Sequence, residues 1–287
     1  MTCSYVGRFA PTPSGPLHLG SLVAALASFL DARAHDGCWL LRIEDVDRSR
    51  SRPEFIVRQL ASLRAHGLLH DGEVRVQSKH HTDYIDALTA LLPHLYECHC
   101  SRKYWHMYAH SGALGLVYPG FCRENVLTRI PQDAVALRLR LPDSSVFFFD
   151  RLLGECLFHL QREIGDPILR RRDGDFAYAL AVVVDDALQG VTDVVRGQDL
   201  TAATAIHLYL QSLLDIPQPR YLHVPLVLNA DGNKLSKQNH APALDDTIPT
   251  VNLLAALRYL GQDCDGFATD MPPILLLNEA IQRWSFK

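Results

Sequence analysis

Apolar residues recur along this chain at two spacings, and the changes from one to the other mark out its elements. Tyr5 to Phe9 is a short apolar run that reads as a strand, stopped by Pro11, Pro13, Gly15 and Pro16. From about Leu19 to Ala34 the period becomes helical, with Leu22, Leu26, Phe29 and Leu30 on one face. Asp36-Gly37 breaks that helix. Trp39 to Ile43 is almost continuously apolar, as expected of a strand covered on both faces. Pro53 and Glu54 open a second helix, and Gly67 suits its end. Strand, helix, strand, helix in that order predicts a right-handed parallel βαβ unit.

The middle of the chain departs from this pattern. Residues 96–130 are rich in Cys, His, Tyr and Gly, and the short β-like runs Ala134 to Leu141 and Val146 to Phe149 follow. The α/β pattern resumes at Phe176 to Val184 and continues through a helix, about Leu200 to Leu214, and a strand, His223 to Leu228. Asp231-Gly232 then turns the chain into a polar loop. The expected fold class is therefore α/β: a Rossmann-like catalytic domain with a parallel sheet. Its halves span residues 1–95 and 176–240. Residues 96–175 form an inserted subdomain, and 241–287 a short helical C-terminal region with helices at Val251 to Leu260 and Pro273 to Trp284.

Composition narrows the class without naming a reaction. The 287 residues are long enough for a sizeable core, and 48% hydrophobic with 21% charged is ordinary for a globular protein. No run approaches about 18 apolar residues, and Arg8 with the neighbouring Gly and Pro residues interrupts any apolar leader. A cytoplasmic monomer with no membrane partner is expected. A net charge of −4 argues against polyanion binding by the whole surface. Two local clusters, Arg48, Arg50 and Arg52, then Arg170, Arg171 and Arg172, are either solvated faces or RNA contacts; the second borders the insertion and is expected to touch RNA.

Seven cysteines, odd in number and unevenly placed, fit a reducing compartment, with Cys3, Cys38, Cys156 and Cys264 as scattered thiols. Cys98, Cys100 and Cys122 stand apart. With a fourth ligand they satisfy a structural zinc site, and chemistry alone nominates His106 or His110, since phenolate is a rare ligand.

Two segments suggest phosphate handling. In Pro13 to Ser21, Gly20 at the mouth of the first helix lets a ligand approach the backbone, the helix N-terminus favours anions, and His18 offers a donor to a phosphate oxygen. In Lys234-Leu235-Ser236-Lys237, lysines on an exposed loop suit a pyrophosphate leaving group. Separately these read as a capping turn and a solvated loop. Together they fall on the carboxyl edge of a parallel sheet, where such folds bind ligands.

With their neighbours these segments resemble the class I aminoacyl-tRNA synthetases of the glutamyl type, and more closely the shortened glutamyl-queuosine tRNA(Asp) synthetases. The likeness is carried by Arg8-Phe9-Ala10-Pro11-Thr12-Pro13-Ser14-Gly15, by Leu41 to Arg48, and by Tyr178 to Asp186 continuing through Gly190, Val195-Arg196-Gly197 and Asp199. It implies a ligase that activates L-glutamate with ATP, giving glutamyl-adenylate and pyrophosphate, and passes the glutamyl group to the queuosine base of tRNA(Asp). It also implies glutamate binding by Arg8, Phe9, Ala10, Pro11, Thr12, Glu44, Tyr178 and Arg196. ATP binding falls to His18, Gly20, Ser21 and Lys237, catalysis to His18, Lys234 and Lys237, and Tyr118 completes the zinc site.

The residues carry other readings beside these. Glu44 would serve as part of a solvated acidic turn with Asp45 and Asp47 or as a partner for Arg42 or Arg48, Tyr178 as a core residue, Arg196 as a surface ion-pair member. Asp45 and Asp47 offer carboxylates to Mg²⁺, although that ion is held mainly by ATP. Ser21 stands where many class I enzymes carry a second His, and Gln238 replaces the last Ser of the lysine loop. Asn239 to Lys287 is too short for the helical anticodon reader of a complete glutamyl-tRNA synthetase. Esterification of a tRNA 3′ end, and an inactive zinc-bearing RNA-binding regulator, are the competing readings.

Overall fold

A computed structural model describes residues 3–131, 134–227 and 242–286. The chain opens with β1 (Val6–Phe9), α1 (Leu19–Ala34), β2 (Cys38–Ile43), α2 (Pro53–Ala65) and β3 (Arg75–Val76). β1 pairs in parallel with β2, from Val6 beside Cys38 to Phe9 beside Leu41, and β2 pairs in parallel with β3. Helix α1 is made almost wholly of small and apolar residues, so it is buried along its length rather than on one stripe.

The central region contains α3 (His81–Ala90), β4 (Leu95–Cys98), α4 (Arg102–His106), β5 (His110–Gly112), β6 (Gly115–Val117), β7 (Ala136–Leu139), β8 (Ser145–Asp150), β9 (Gly154–His159) and β10 (Ile168–Arg170). β7 lies between β4 and β10 in an antiparallel sheet, and β5 and β6 form a small hairpin. The β8–β9 hairpin belongs elsewhere, joining the parallel sheet of the last third of the chain.

That third contains α5 (Tyr178–Leu188), β11 (Asp193–Gly197), α6 (Thr201–Leu213), β12 (Arg220–Val224), α7 (Pro249–Tyr259) and α8 (Pro273–Arg283). β11 and β12 are parallel, and β8 meets β12 where Asp150 lies beside Tyr221. Thr192, just before β11, bonds to both backbone groups of Val6, its N–H donating to the Val6 oxygen at 3.0 Å. The strand order thus reverses between β1 and β11, the kind of switch point that opens a ligand crevice.

Two details differ from the sequence expectation. The last strand runs Arg220–Val224 instead of His223 to Leu228, because Pro225 has no N–H to continue a ladder. Cys3 and Cys38, expected as separate thiols, form a disulfide with Cα atoms 6.0 Å apart. The β1–β2 pairing brings them together, with Cys38 donating its N–H to the Tyr5 oxygen at 2.9 Å.

Candidate active site

The crevice at the switch point has a volume of about 860 Å³. β1 and the turn after it contribute Arg8, Phe9, Ala10, Pro11 and Thr12; α1 contributes His18, Gly20 and Ser21; Glu44, Tyr178 and Arg196 line it too. Eleven positions predicted from the sequence thus meet in one cavity. Lys234 and Lys237 lie outside the described residues. Gly197, beside Arg196 in the same motif, also lines the crevice. A Cβ there would come within 2.7 Å of an Asp199 carboxylate oxygen.

On the β1–β2 side, charges are balanced internally. Arg8 grips Asp186 through Nε at 3.0 Å and Nη2 at 3.3 Å. Arg42, fully buried, donates to the same Asp186 at 2.6 Å and to Glu44 Oε1 at 3.2 Å. Asp185 accepts from Arg75 Nε at 2.6 Å, Gln77 at 2.7 Å and Tyr84 at 2.9 Å. Ionised groups so deep in a protein persist when paired and hydrogen-bonded. Burial would push the Asp186 carboxyl up, but Arg42 and Arg8 outweigh it and hold it well below the usual carboxylate range. For Glu44 burial prevails over the same two arginines, and its carboxyl is raised.

On the β11–β12 side the arrangement is different. Arg196 is 6% exposed, and among the described residues no carboxylate pairs with it. Neutral acceptors hold its guanidinium: His223 Nε2 at 3.2 Å, the Tyr178 hydroxyl at 3.2 Å, His207 Nδ1 at 3.2 Å, Thr204 Oγ1 at 2.7 Å and the Leu200 oxygen at 3.2 Å. Burial and the charge of Arg196 drive His207 well below its ordinary range. Here the positive charge is held in place yet left without a counter-ion, an arrangement suited to an incoming carboxylate.

At the α1 end, His18 is the N-cap, its Nδ1 accepting the Ser21 N–H at 3.2 Å. In the neutral ring the proton then sits on Nε2, the donor form a phosphate oxygen requires. The first-turn amides of α1 add to the same electropositive end. Asp45 and Asp47 are already engaged: Asp45 accepts from Ser78, and Asp47 from Ser49 and Arg50 at 2.6 Å each.

The model of the tRNA synthetases class I (E and Q) catalytic domain matches residues 5–252. The chain belongs to this class I synthetase family. It is 50% identical over 286 residues to a glutamyl-Q tRNA(Asp) synthetase of Ectopseudomonas mendocina, covering 99% of this chain and 94% of the relative. A second, from Pseudomonas syringae pv. tomato, is 50% identical over 284 residues, covering 98% and 93%. In fold it is similar to a glutamate tRNA ligase of Elizabethkingia meningosepticum solved with its amino acid. The TM-score is 0.79 at 21% identity, covering 98% of this chain and 65% of that one. The chain is therefore a ligase of the aminoacyl-tRNA synthetase type, and the crevice is its candidate catalytic cleft.

A second constellation of this synthetase lies away from the cleft. The Sγ atoms of Cys98, Cys100 and Cys122 fall within 4.8 Å of one another. The Tyr118 oxygen is 3.6 Å from Cys98 Sγ and 3.4 Å from Cys100 Sγ, and it accepts the Cys122 N–H at 3.0 Å. Both alternative ligands are turned elsewhere: His110 Nε2 is 2.8 Å from the Arg162 oxygen, and His106 Nε2 accepts from Arg102 at 3.0 Å. These three thiols and the phenol could hold a metal ion.

The basic run next to it divides. Arg170 is buried and donates to the Pro131 oxygen at 2.9 Å. Arg171 pairs with Asp173, and Arg172 is exposed, reaching the His99 oxygen at 2.9 Å. Four residues outside the lining, to which the sequence assigned no role, hold the cleft side chains: Asp186 grips Arg8, His207 and His223 meet Arg196, and Asp150 meets His223. The signal for the first was present: an Asp pair at the end of an apolar helical run must find buried partners.

Proposed function

We propose that this synthetase activates L-glutamate with ATP in the absence of RNA and transfers it to the queuosine base of tRNA(Asp). The observation that carries the amino-acid choice is Arg196, a buried cation without a carboxylate partner among the described residues, facing the same cleft as the acid Glu44. A substrate carboxylate supplies the missing negative charge, accepting from Arg196 and from the Tyr178 hydroxyl beside it. Glu44 receives the ammonium group. The α-carboxylate then attacks the α-phosphate of ATP, forming glutamyl-adenylate and releasing pyrophosphate. His18 donates to phosphate oxygens, while Lys234 and Lys237 neutralise the leaving group, with Mg²⁺ arriving on ATP. No covalent enzyme intermediate is involved; placement and electrostatics lower the barrier.

Cys98, Cys100, Tyr118 and Cys122 would hold a structural Zn²⁺, which would order the region facing the RNA; the four ligands fit its preferred coordination number. Exposed Arg172, anchored to His99 within that knuckle, would meet the RNA backbone. The choice of queuosine over a tRNA 3′ end is supported by relatives of nearly the same length that carry the glutamyl-Q tRNA(Asp) synthetase name.

ATP–pyrophosphate exchange with a panel of amino acids and no RNA tests the proposal. Glutamate-dependent exchange is expected. Exchange only with tRNA(Glu) would point to 3′ esterification, and no exchange at all to an inactive RNA binder. Periodate sensitivity of the charged RNA then locates the ester, because queuosine carries its own cis-diol.

A further inference from the structure

We propose that Asp150 and His223 are positioning residues that set the aim of Arg196, and through it the preference of the cleft for a carboxylate-bearing amino acid. This rests on the reading of Arg196 as the carboxylate-binding residue. Neither Asp150 nor His223 lines the crevice, and both are completely buried. They are 73 residues apart in sequence, and the pairing of β8 with β12 brings them together.

The proton positions follow from the partners. Asp150 accepts the N–H groups of Leu152 at 3.0 Å, Leu153 at 2.9 Å and His223 at 3.0 Å. It also lies 2.7 Å from His223 Nδ1. An ionised carboxylate only accepts, so Nδ1 carries the ring proton. Backbone and imidazole donors outweigh burial and lower the Asp150 carboxyl, which keeps it ionised. Burial and the neighbouring Arg196 hold His223 below its ordinary range against the pull of Asp150, so the ring is neutral. With Nδ1 protonated, Nε2 has a lone pair, and Arg196 Nε donates to it at 3.2 Å. Thr204 Oγ1, 3.2 Å from the same Nε2, accepts from Arg196 Nη2 at 2.7 Å and closes the ring of contacts.

The geometry has a chemical corollary. A second carboxylate touching Arg196 would also fix the guanidinium, but it would cancel the charge the substrate needs. The neutral imidazole fixes direction without neutralising, and Asp150 is kept one residue removed. A single proton on the wrong ring nitrogen would set N–H against N–H at the Arg196 contact.

Asp150→Asn isolates this effect. The amide oxygen can still accept from Leu152 and Leu153, while its NH₂ facing Nδ1 forces the ring proton onto Nε2. In ATP–pyrophosphate exchange the KM for glutamate is expected to rise about 10- to 100-fold, as when partners that orient a binding group are lost, with the KM for ATP unchanged. His223→Gln should raise the glutamate KM similarly. The double variant should be no worse than His223→Gln alone, because Asp150 then has no ring to orient.

¹⁵N NMR of the histidine rings reads the tautomer without any assay: protonated Nδ1 in the unaltered protein and protonated Nε2 in Asp150→Asn. An unprotonated Nδ1 in the unaltered protein, equal rises in both KM values, or effects that multiply in the double variant would each overturn the proposal. If Asp150→Asn does not fold, the spectrum of the unaltered protein and the kinetics of His223→Gln decide. Absence of glutamate dependence in the unaltered enzyme overturns the substrate reading instead, and the ring spectrum still reports whether Asp150 orients His223.

Discussion

Arg8 and Arg196 sit on neighbouring strands and face the same cleft, yet their surroundings assign them different work. Arg8 belongs to a lattice in which Asp186, Glu44 and Asp185 answer the charges of Arg8 and Arg42. Arg196 has five neutral acceptors and no counter-ion among the described residues. The β1–β2 side is electrostatically closed by its own side chains, whereas the β11–β12 side leaves a positive charge open, as the proposed substrate carboxylate requires. Two buried arginines in one pocket are thus distinguished by their partners, and a binding role belongs first to the one whose charge is unanswered.

The largest effect expected from breaking this contrast is on stability. Asp186→Asn removes the shared partner of Arg8 and Arg42 and should lower unfolding free energy by about 3–5 kcal/mol, measured by urea denaturation. Arg196→Ala should barely move the denaturation midpoint but reduce kcat/KM for glutamate about 10²- to 10³-fold in the exchange assay, with Lys restoring only part because an ammonium cannot form the fork. A rise in stability loss to match Asp186→Asn would erase the distinction.

Acid should expose Glu44 next. Its raised carboxyl takes up a proton at higher pH than an ordinary glutamate, and the protonated form cannot hold an ammonium. The KM for glutamate should therefore climb as pH falls through that raised value and recover above it. Glu44→Gln should show a KM about tenfold higher at neutral pH, with this acid limb flattened. The smallest change belongs to Tyr178→Phe, which deletes one neutral partner of Arg196 and should cost about 2- to 10-fold in glutamate KM.

Much of this architecture was legible in residue order. Pro and Gly breaks bracketed β1 and α1, and the observed α1 runs over the very span, Leu19–Ala34, that its periodicity indicated. Motif residues from β1, α1 and β11 meet because a parallel sheet places successive strand ends on one edge. What residue order did not reveal was pairing. Nothing local distinguishes Arg8 from Arg196, since that difference depends on Asp186 in α5 and His223 in β12. Asp150 sits in a segment read as part of an insertion, and only the contact of β8 with β12 places it against His223. The Cys3–Cys38 bond likewise arises from strand register, which cysteine spacing alone leaves open.

Helix α1 carries His18 at its cleft end and, one turn before its other end, Asp31. This fully buried carboxylate accepts from Tyr5, from Arg151 at 2.6 Å and 2.9 Å, and from Trp284 Nε1 at 2.8 Å. A residue made early in synthesis thus waits for a partner 253 positions later. The helix capped by His18 completes its packing only when α8 and the segment after it are in place. Folding of this enzyme should therefore be dominated by long-range closure, slow for its size, with a ribosome-bound chain holding an acid that has no finished socket.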